Sequence, residues 1–528
     1  MLVFMMVVST LLPIAASAAA WFKDVTYSSS TDTVSGYVYV DQATYAHITG
    51  NKIQIQVYGK NGEISLVDAT YTTYAGAAEG TYYYSFSFAG SSYASYFPLK
   101  LRYQDPTATQ GTYVETTAID RSSSGNPGPG PIVVIPGDNT VDPEVTVDAS
   151  GNVNAAQLAA ALANDGKATV VITGEVALLP ASALVGGEEV TITTDEGVSY
   201  ILPIKALDLD ALAKSLGVAL ADLKIEVGIE TLAGTEADDV AKAAVAAKAN
   251  VRSAAIDFTL SAVGGGKEEA ITDLPVYVAR VLPVTGEVAN PGKLVVVRYN
   301  PTTGKFQPVP TSVTTTEDGK TNATANSRSN SIYAVIETEG KVFADLARHW
   351  AKADVEKLSN KLIVEGTSAN SFEPKRSITR AEVAALIVRA LGLETSGTTD
   401  KFSDVAADKW YSGAVAAAVE AGIINGLPNG TFNPNAAITR RDLAAMVVRA
   451  QVFAGKTVEL TSDEVTKALS AYSDAATLGG QKEAVAIAVN SGLVKGQTGT
   501  KIAGLANTNR AEAATMIARL LTNVGFMS

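Results

Sequence analysis

The stretch Ile378-Thr379-Arg380-Ala381-Glu382 decides the fold of the C-terminal third of this chain, because it recurs twice. The later copies are Ile438-Thr439-Arg440-Arg441-Asp442 and Thr508-Asn509-Arg510-Ala511-Glu512. Each copy closes a unit that opens on an aromatic-x-Asp signal, at Phe343-Ala344-Asp345, Phe402-Ser403-Asp404 and Tyr472-Ser473-Asp474. Self-similarity of this kind indicates a repeat architecture.

Each copy carries the signals of a helix start. In the first copy, Thr379 is a good N-cap residue and Glu382 stands three positions later, as in a capping box. The other copies place Thr439 with Asp442 and Asn509 with Glu512 in the same positions. Apolar residues follow at helical spacing in all three copies. The pattern therefore predicts three helices with one buried face each.

Capping leaves the arginine of each copy unexplained. Arg380, Arg440 and Arg510 hold the first helical position, where the positive end of the helix dipole disfavours a cation by roughly 0.3 to 1 kcal/mol. Two explanations stay open at this point. The guanidinium pairs with an aspartate of the aromatic-x-Asp turn and closes the repeat, or it binds an external anion.

The three units resemble S-layer homology repeats. That family's pattern runs from Phe-x-Asp through a Trp-containing first helix and a Gly-x-x-x-Gly-x-Phe-x-Pro loop to Ile-Thr-Arg-Ala-Glu. The matching residues are Phe343, Asp345, Trp350, Gly366, Phe372, Pro374 and Arg380 in copy one, and Phe402, Asp404, Trp410, Gly426, Gly430, Phe432, Pro434 and Arg440 in copy two. The third copy has Leu478-Gly479-Gly480 in place of the Trp region and lacks Phe-x-Pro, so only its fold is expected to follow the family.

The resemblance implies an all-α pseudo-trimer whose grooves bind a secondary cell-wall polysaccharide, typically one with pyruvate ketals on amino sugars. Arginine suits an acidic ketal because it meets a carboxylate through two parallel hydrogen bonds. The predicted polysaccharide-binding residues are Asp345, Trp350, Arg380, Glu382, Asp404, Trp410, Asn429, Gly430, Arg440, Asp442 and Arg510. For the two tryptophans taken alone, a place in the core is slightly favoured over ligand contact.

The composition limits the function classes. With 54 Asp and Glu against 41 Lys and Arg and no basic run, nucleic-acid binding is disfavoured. The chain has no cysteine, so disulfides and thiolate metal sites are excluded. Only His47 and His349 are available as histidines, and no catalytic constellation is present. We expect no enzyme and no cofactor, while structural calcium in acidic loops stays open without a defined ligand set.

The chain of 528 residues suggests several domains. Residues 1–20 are apolar and end in small residues, as in an export signal, and a start further upstream stays open because no Lys or Arg precedes the apolar run. No later stretch is long and apolar enough to predict a retained transmembrane helix. We therefore expect a secreted protein of the cell wall or surface layer.

The predicted organisation has seven further parts. They are a β-sandwich domain of immunoglobulin-like type at 21–120, a Pro/Gly/Ser-rich linker at 121–142, an α+β module at 143–250, a β-rich module at 251–340, and repeats at 341–395, 396–455 and 456–528. The two middle modules form either separate domains or a fused pair. Predicted helices in this region are Ala155 to Ala163, Leu207 to Leu216 and Asp238 to Ala249.

Two functions are consistent with these expectations. In the first, the protein is a surface-layer subunit that the repeats anchor and that makes lateral contacts with copies of itself. In the second, it is a low-copy adhesin or accessory protein whose tyrosine-rich N-terminal domain binds an external ligand.

Overall fold

The chain forms two compact units, Met1–Val141 and Asp142–Ser528. The computed structural model describes the strands of the first unit and, in the second, residues 145–316, 319–395 and 397–527. Apart from Ala20, the predicted export signal lies outside the described residues, and so does the Pro/Gly/Ser-rich linker.

The described part of the first unit is an antiparallel sheet. Its strands are β1 Ala20–Ser28, β2 Thr33–Val40, β3 Lys52–Tyr58, β4 Ile64–Thr72, β5 Tyr82–Ala89, β6 Lys100–Tyr103 and β7 Val114–Glu115, in the order β1-β2-β5-β4-β3-β6-β7. Along β3, Ile53, Ile55 and Val57 are buried while Gln54 is exposed, which is the alternation of a half-buried strand. All the described strands belong to one sheet, so the immunoglobulin-like sandwich stays a prediction.

The second unit begins with a module of two sheets. The strands are β8 Lys167–Ile172, β9 Val176–Pro180, β10 Glu189–Thr194, β11 Ser199–Pro203, β12 Lys224–Thr231, β13 Ala249–Val251, β14 Ile256–Gly264, β15 Lys267–Ala270, β16 Asp273–Pro283, β17 Leu294–Asn300, β18 Lys305–Pro308, β19 Thr311–Thr315, β20 Thr321–Ser329 and β21 Ile332–Thr338. Its helices are α1 Ala155–Asp165, α2 Ala181–Leu184, α3 Leu209–Leu216 and α4 Gly234–Ala246. The predicted helix at Asp238 thus begins four residues earlier, at Gly234.

Strands from both sides of residue 250 share both sheets of this module. One sheet has the order β19-β20-β16-β11-β10-β8, and the other has β18-β17-β21-β14-β12-β9, with β13 on β21 and β15 on β14. Their inner faces form a common apolar core. The region from 143 to 340 is therefore one fused module, which was one of the two arrangements the sequence left open.

The C-terminal region is helical. It contains α5 Lys352–Asn360, α6 Arg380–Ala390, α7 Ser412–Glu420, α8 Arg440–Phe453, α9 Ser462–Leu469, α10 Lys482–Asn490 and α11 Arg510–Asn523. We call α6, α8 and α11 the entrance helices, because each begins at the recurring arginine. They pack against one another at the centre, and the first helices α5, α7 and α10 pack outside them against α11, α6 and α8. The predicted starts of all three entrance helices are confirmed.

The residues just before the entrance helices join the repeats in a closed hydrogen-bond triangle. The Ile378 N–H donates to the Thr508 carbonyl at 3.0 Å, the Thr508 N–H to Ile438 at 2.8 Å, and the Ile438 N–H to Ile378 at 3.1 Å. Each repeat therefore satisfies a backbone group of the next in the same way. This triangle gives the region the pseudo-threefold arrangement that the resemblance implied.

The repeats also contact the two-sheet module. The Tyr277 hydroxyl donates to the Leu391 carbonyl at 2.8 Å, and its ring lies 4.7 Å from Phe526. Arg298 forms an ion pair with Glu394 at 2.6 Å. The ammonium of Lys361, at the end of α5, donates to the Leu294 carbonyl and is buried. Aromatic contacts, an ion pair and a buried cation are thus among the interactions that link the two parts.

Lys361 makes the stability of this unit depend on pH. Burial, with a smaller contribution from Lys357, lowers the pKa of Lys361 to about 8, whereas an unfolded lysine titrates near 10.4. Between these values the unfolded chain binds more protons, so stability rises with pH across this window, by a few kcal/mol in order of magnitude. We expect chemical denaturation of the full chain at pH 7 to 10 to show this rise, and Lys361→Met to flatten it. Exposed Lys375→Met is the control, and a flat wild-type profile would contradict the assignment.

Candidate functional site

The aspartate of each aromatic-x-Asp signal holds the loop before the next entrance helix. Asp345 accepts hydrogen bonds from the backbone N–H groups of Phe372 at 3.0 Å and Glu373 at 2.7 Å. Burial raises the pKa of Asp345, but these N–H donors outweigh burial and leave it below its ordinary value. Asp404 and Asp474 make the same bonds to Phe432 with Asn433 and to Ile502 with Ala503. All three carboxylates are therefore already used in hydrogen bonds to the loop backbone.

The loop backbone is strained where the aspartates hold it. Glu373, Asn433 and Ala503 have φ of 58°, 57° and 55°, a left-handed conformation that is costly for residues with a side chain. The N–H of each of these residues is a donor to its aspartate. The carboxylate therefore fixes a loop shape that the local sequence does not favour.

A glycine in each loop allows an aromatic ring to lie directly against the backbone. A Cβ added to Gly366 would lie 2.7 Å from the Phe343 ring, and one added to Gly426 would lie 2.2 Å from Phe402. The third copy repeats the arrangement with Gly496 and Tyr472, at 2.5 Å. The aromatic residue at the start of each repeat thus packs against the glycine loop that precedes the entrance helix of the same repeat.

Each recurring arginine reaches from its own repeat to the loop of the next. The Nε of Arg380 donates to the Phe432 carbonyl at 2.7 Å. Arg440 and Arg510 do the same to Ile502 at 3.0 Å and to Phe372 at 2.8 Å. The sequence left open whether the arginine pairs with the turn aspartate. In the described residues the aspartates accept backbone N–H groups and the arginines donate to a carbonyl beside them, so the two groups are not hydrogen-bonded to each other, although Asp404 attracts Arg380 electrostatically.

The other nitrogens of Arg440 and Arg510 are also largely committed. Arg440 donates to the Lys495 carbonyl at 3.0 Å and pairs with Glu512 at 2.9 Å, and its side chain is 5% exposed. Arg510 donates to the Glu365 carbonyl at 2.8 Å. Burial lowers the pKa of Arg510 and of Arg380 from the usual range. The recurring arginines primarily join neighbouring repeats.

The two tryptophans lie on the surface. Trp350 is 63% exposed and Trp410 is 66% exposed, so the prediction that slightly favoured the core is wrong. The following residues, Ala351 and Tyr411, take the buried places instead. Both indoles are therefore largely open to solvent.

The remaining predicted residues have local roles. Glu382 completes a capping box with Thr379 and pairs with Arg376 at 2.6 Å. Asp442 accepts from the Thr439 hydroxyl at 2.7 Å. Asn429 accepts from Thr431 within its own turn, and Gly430 has an open side and φ of 77°. None of these contacts tests a role in ligand binding.

A groove of about 370 Å³ lies beside Trp350. It draws on all three repeats, since Trp350 comes from the first, Arg440 from the second, and Lys495, Gln497 and Arg519 from the third. We call it the Trp350 groove.

Sequence reasoning missed Lys495, Gln497 and Arg519, which lie outside the family motif. Arg519 recurs as Arg389 and Arg449 at the same place in each repeat, so the repeat itself could have indicated it. Lys495 and Gln497 have no such signal, because the other copies carry different residues there.

The pseudo-threefold relation places related surfaces at two other positions. At the second position this relation brings Trp410 to the side of Arg510 and the loop at Glu365, because α7 packs on α6 as α5 packs on α11. In the third surface, Gly480 stands where the tryptophans do, and the arginine is Arg380. The two surfaces that carry a tryptophan thus take it and their recurring arginine from different repeats.

Among the described residues, no group of three or more His, Asp or Glu side chains could hold a metal ion. Calcium binding therefore stays a prediction for which no ligating residues are defined. No helix in the described ranges has the length and apolar character needed to cross a membrane.

Comparison with known proteins identifies the three repeats. The S-layer homology domain matches residues 342–384, 401–444 and 471–514. An amylopullulanase of Thermoanaerobacterium thermosulfurigenes is 32% identical over 278 residues, 51% of this chain and 14% of that protein. The surface-layer 125 kDa protein of Lysinibacillus sphaericus is 34% identical over 33% of this chain and 14% of its own length. The S-layer protein sap of Bacillus anthracis is 32% identical over 36% and 22%.

The chain therefore carries three S-layer homology domains and is a surface protein anchored at the cell wall. It spans less than a quarter of the length of each of these relatives. The match to the amylopullulanase is longer than the stretch from residue 342 to the end of the chain, so it includes part of the two-sheet module.

We expect Arg440→Ala to destabilise the helical region by about 3 kcal/mol, because the variant leaves the largely buried Glu512 carboxylate without its cationic partner and the carbonyls of Ile502 and Lys495 without their donor. Chemical denaturation of the full chain, followed by far-UV circular dichroism, measures the effect. Arg348→Ala removes an exposed arginine of the first repeat and is the matched control. A loss below about 1 kcal/mol would show that the Arg440 pair contributes little.

Proposed function

We propose that this protein is a non-catalytic structural protein of the cell surface, whose repeats bind a pyruvylated secondary cell-wall polysaccharide. The observation that carries the proposal is the placement of exposed Trp350 in a groove between repeats, with Trp410 exposed at the equivalent position of the second repeat. Aromatic faces that lie open next to polar groups are typical of sites that take a partly apolar ligand.

The chemistry of the Trp350 groove suits an acidic sugar. The indole offers a flat face to sugar C–H groups, and Lys495 and Arg519 offer cations. A carboxylate on the sugar would gain charge-assisted hydrogen bonds there. The fold supplies the rigidity, since the loop at Lys495 is bonded to Arg440 through its backbone.

The relatives support an anchoring role that is separate from any activity. They include an amylopullulanase and two surface-layer proteins, and the chain matches only a small part of each. A part shared by proteins of such different kinds is best explained as the means of attachment. The absence of a catalytic constellation in the sequence favours a structural protein over a hydrolase.

Wall binding predicts that the full chain sediments with purified cell walls and loses this property when hydrofluoric acid removes their polysaccharide. We expect Trp350→Ala with Trp410→Ala to weaken sedimentation at least tenfold, about 1.4 kcal/mol, because the apolar sugar contacts are lost. Val342→Ala alters an exposed apolar residue outside the Trp350 groove and is the control. Equal binding to stripped and intact walls would refute the polysaccharide as the ligand.

A surface-layer subunit and a low-copy adhesin remain distinct forms of this proposal, and the similarity to two surface-layer proteins favours the first. A subunit makes lateral contacts with copies of itself. We expect protein extracted with chaotrope to form sheets, visible by negative-stain electron microscopy, once the chaotrope is removed. Monomeric sedimentation at high protein concentration would instead favour the adhesin.

A further inference from the structure

Strand β16 leaves its ladder where it faces the repeats. Its register with β20 shifts between Asp273 and Val278. Along this stretch the chain advances five positions on β16 and only two on β20, so the segment 274–277 bulges out of the sheet. A bulge bends its strand and redirects the side chains that it carries. The last residue of the segment is Tyr277, which packs against the apolar core of the repeats.

Arg328 holds this bulge from the neighbouring strand. It lies on β20, and its Nε donates to the carbonyl of Leu274 at 2.7 Å. The guanidinium also lies over the ring of Phe453, with its central carbon 4.6 Å from the ring centroid, and an aromatic face attracts a cation. Phe453 is the last residue of α8, where the negative end of the helix dipole also favours a cation. One arginine thus joins the bulge to the second repeat.

The C-terminal ends of the three entrance helices meet at Tyr277. Its hydroxyl donates to the carbonyl of Leu391, the C-cap residue of α6, at 2.8 Å. The centroid of its ring lies 6.0 Å from that of Phe453 at the end of α8, and 4.7 Å from that of Phe526, which follows α11. A single side chain of the two-sheet module therefore contacts all three repeats, at the end of the helices opposite to the hydrogen-bond triangle.

Tyr277 covers groups that the repeats leave open at this end. The last carbonyls of a helix have no partner within it, and the Tyr277 hydroxyl provides one at the end of α6. Leu391 and Phe526 are buried there. Burial raises the pKa of Tyr277 above its usual range, against a smaller opposite effect of Arg328, so the phenol stays a neutral donor. Loss of the module would remove this cover from apolar side chains and from a backbone carbonyl.

The two parts also fit closely beside the bulge. Gly392 follows α6 with φ of 64°, and a Cβ on it would lie 2.9 Å from Cδ of Pro310. The side-chain amide of Gln307 donates to the carbonyl of Leu393. Leu362 of the first repeat packs against an apolar cluster of the module. The contact is therefore specific in shape as well as apolar.

We propose that the bulge of β16 is a docking element that closes the common C-terminal end of the entrance helices, so that the two-sheet module and the three repeats unfold as one cooperative unit. The hydrogen-bond triangle joins the repeats at one end of these helices, and Tyr277 with Arg328 joins them at the other. Neither residue lines the Trp350 groove, so docking leaves that groove open.

Hydrogen exchange of the full chain, measured by mass spectrometry in increasing urea, tests this coupling. Val227 lies on β12 in the core of the module, and Val227→Ala weakens that core. We expect the slowest amides of β12 and β14 to exchange at least tenfold faster in this variant, and those of the entrance helices by the same factor, because one opening reaction exposes both. Ile229→Val, a milder change in the same strand, should give a smaller factor that is again equal in both parts.

Substitution of Tyr277 should break the coupling. In a Tyr277→Ala background, Val227→Ala should speed exchange in the strands of the module and leave the entrance helices unchanged. Tyr299→Ala is the matched control, because Tyr299 is a buried tyrosine of the module that packs beside α4. In that background the effect of Val227→Ala should still reach the entrance helices.

Two substitutions of Tyr277 separate its hydroxyl from its ring. Tyr277→Phe removes only the hydrogen bond to Leu391 and should speed exchange in the last turn of α6 alone. Tyr277→Ala also removes the ring and should speed exchange in the last turns of α6, α8 and α11.

Three results would overturn the proposal. An effect of Val227→Ala that stays within the module of the otherwise wild-type chain would show that the repeats unfold independently. Coupling that persists in the Tyr277→Ala background would show that the bulge does not carry it. An effect of Tyr277→Ala confined to α6 would show that this residue does not close the common end.

Discussion

The closed hydrogen-bond triangle through Ile378, Ile438 and Thr508 is the constraint on which the repeat region depends. It requires three similar segments to meet at one point, each as donor to one neighbour and acceptor from the other. No single repeat can satisfy these backbone groups alone, and unpaired buried backbone groups are costly. The repeats therefore fold as a set, and the entrance helices pack together at its centre.

The arginines extend the same logic to side chains. Arg440 is nearly inaccessible and joins the second repeat to the third through two carbonyls and Glu512. A cation at the start of a helix is disfavoured by that helix's dipole, but the neighbouring loop supplies carbonyl acceptors that compensate. The motif arginines thus join the repeats, while residues outside the motif, such as Lys495 and Arg519, line the Trp350 groove.

The two-sheet module is more than a spacer in this chain, because it packs on the repeats through Tyr277, Arg298 and Lys361. The Tyr277 ring contacts Phe526 of the last turn of the repeat region. These contacts hold the module in one position against the repeats. A freely jointed linker would not do so.

The sequence by itself determined the number of repeats, the starts of their helices and most strands of the two-sheet module, since capping residues and apolar periodicity act locally. It could not decide between the two roles of the recurring arginines or place Trp350 and Trp410 correctly, because their partners lie in other repeats. The predicted binding roles of Asp345 and Asp404 remain untested, and both carboxylates hold loops. Only the tertiary structure decided which residues share a groove, because cyclic packing places side chains more than 100 positions apart next to one another, as with Arg510 and the Phe372 carbonyl.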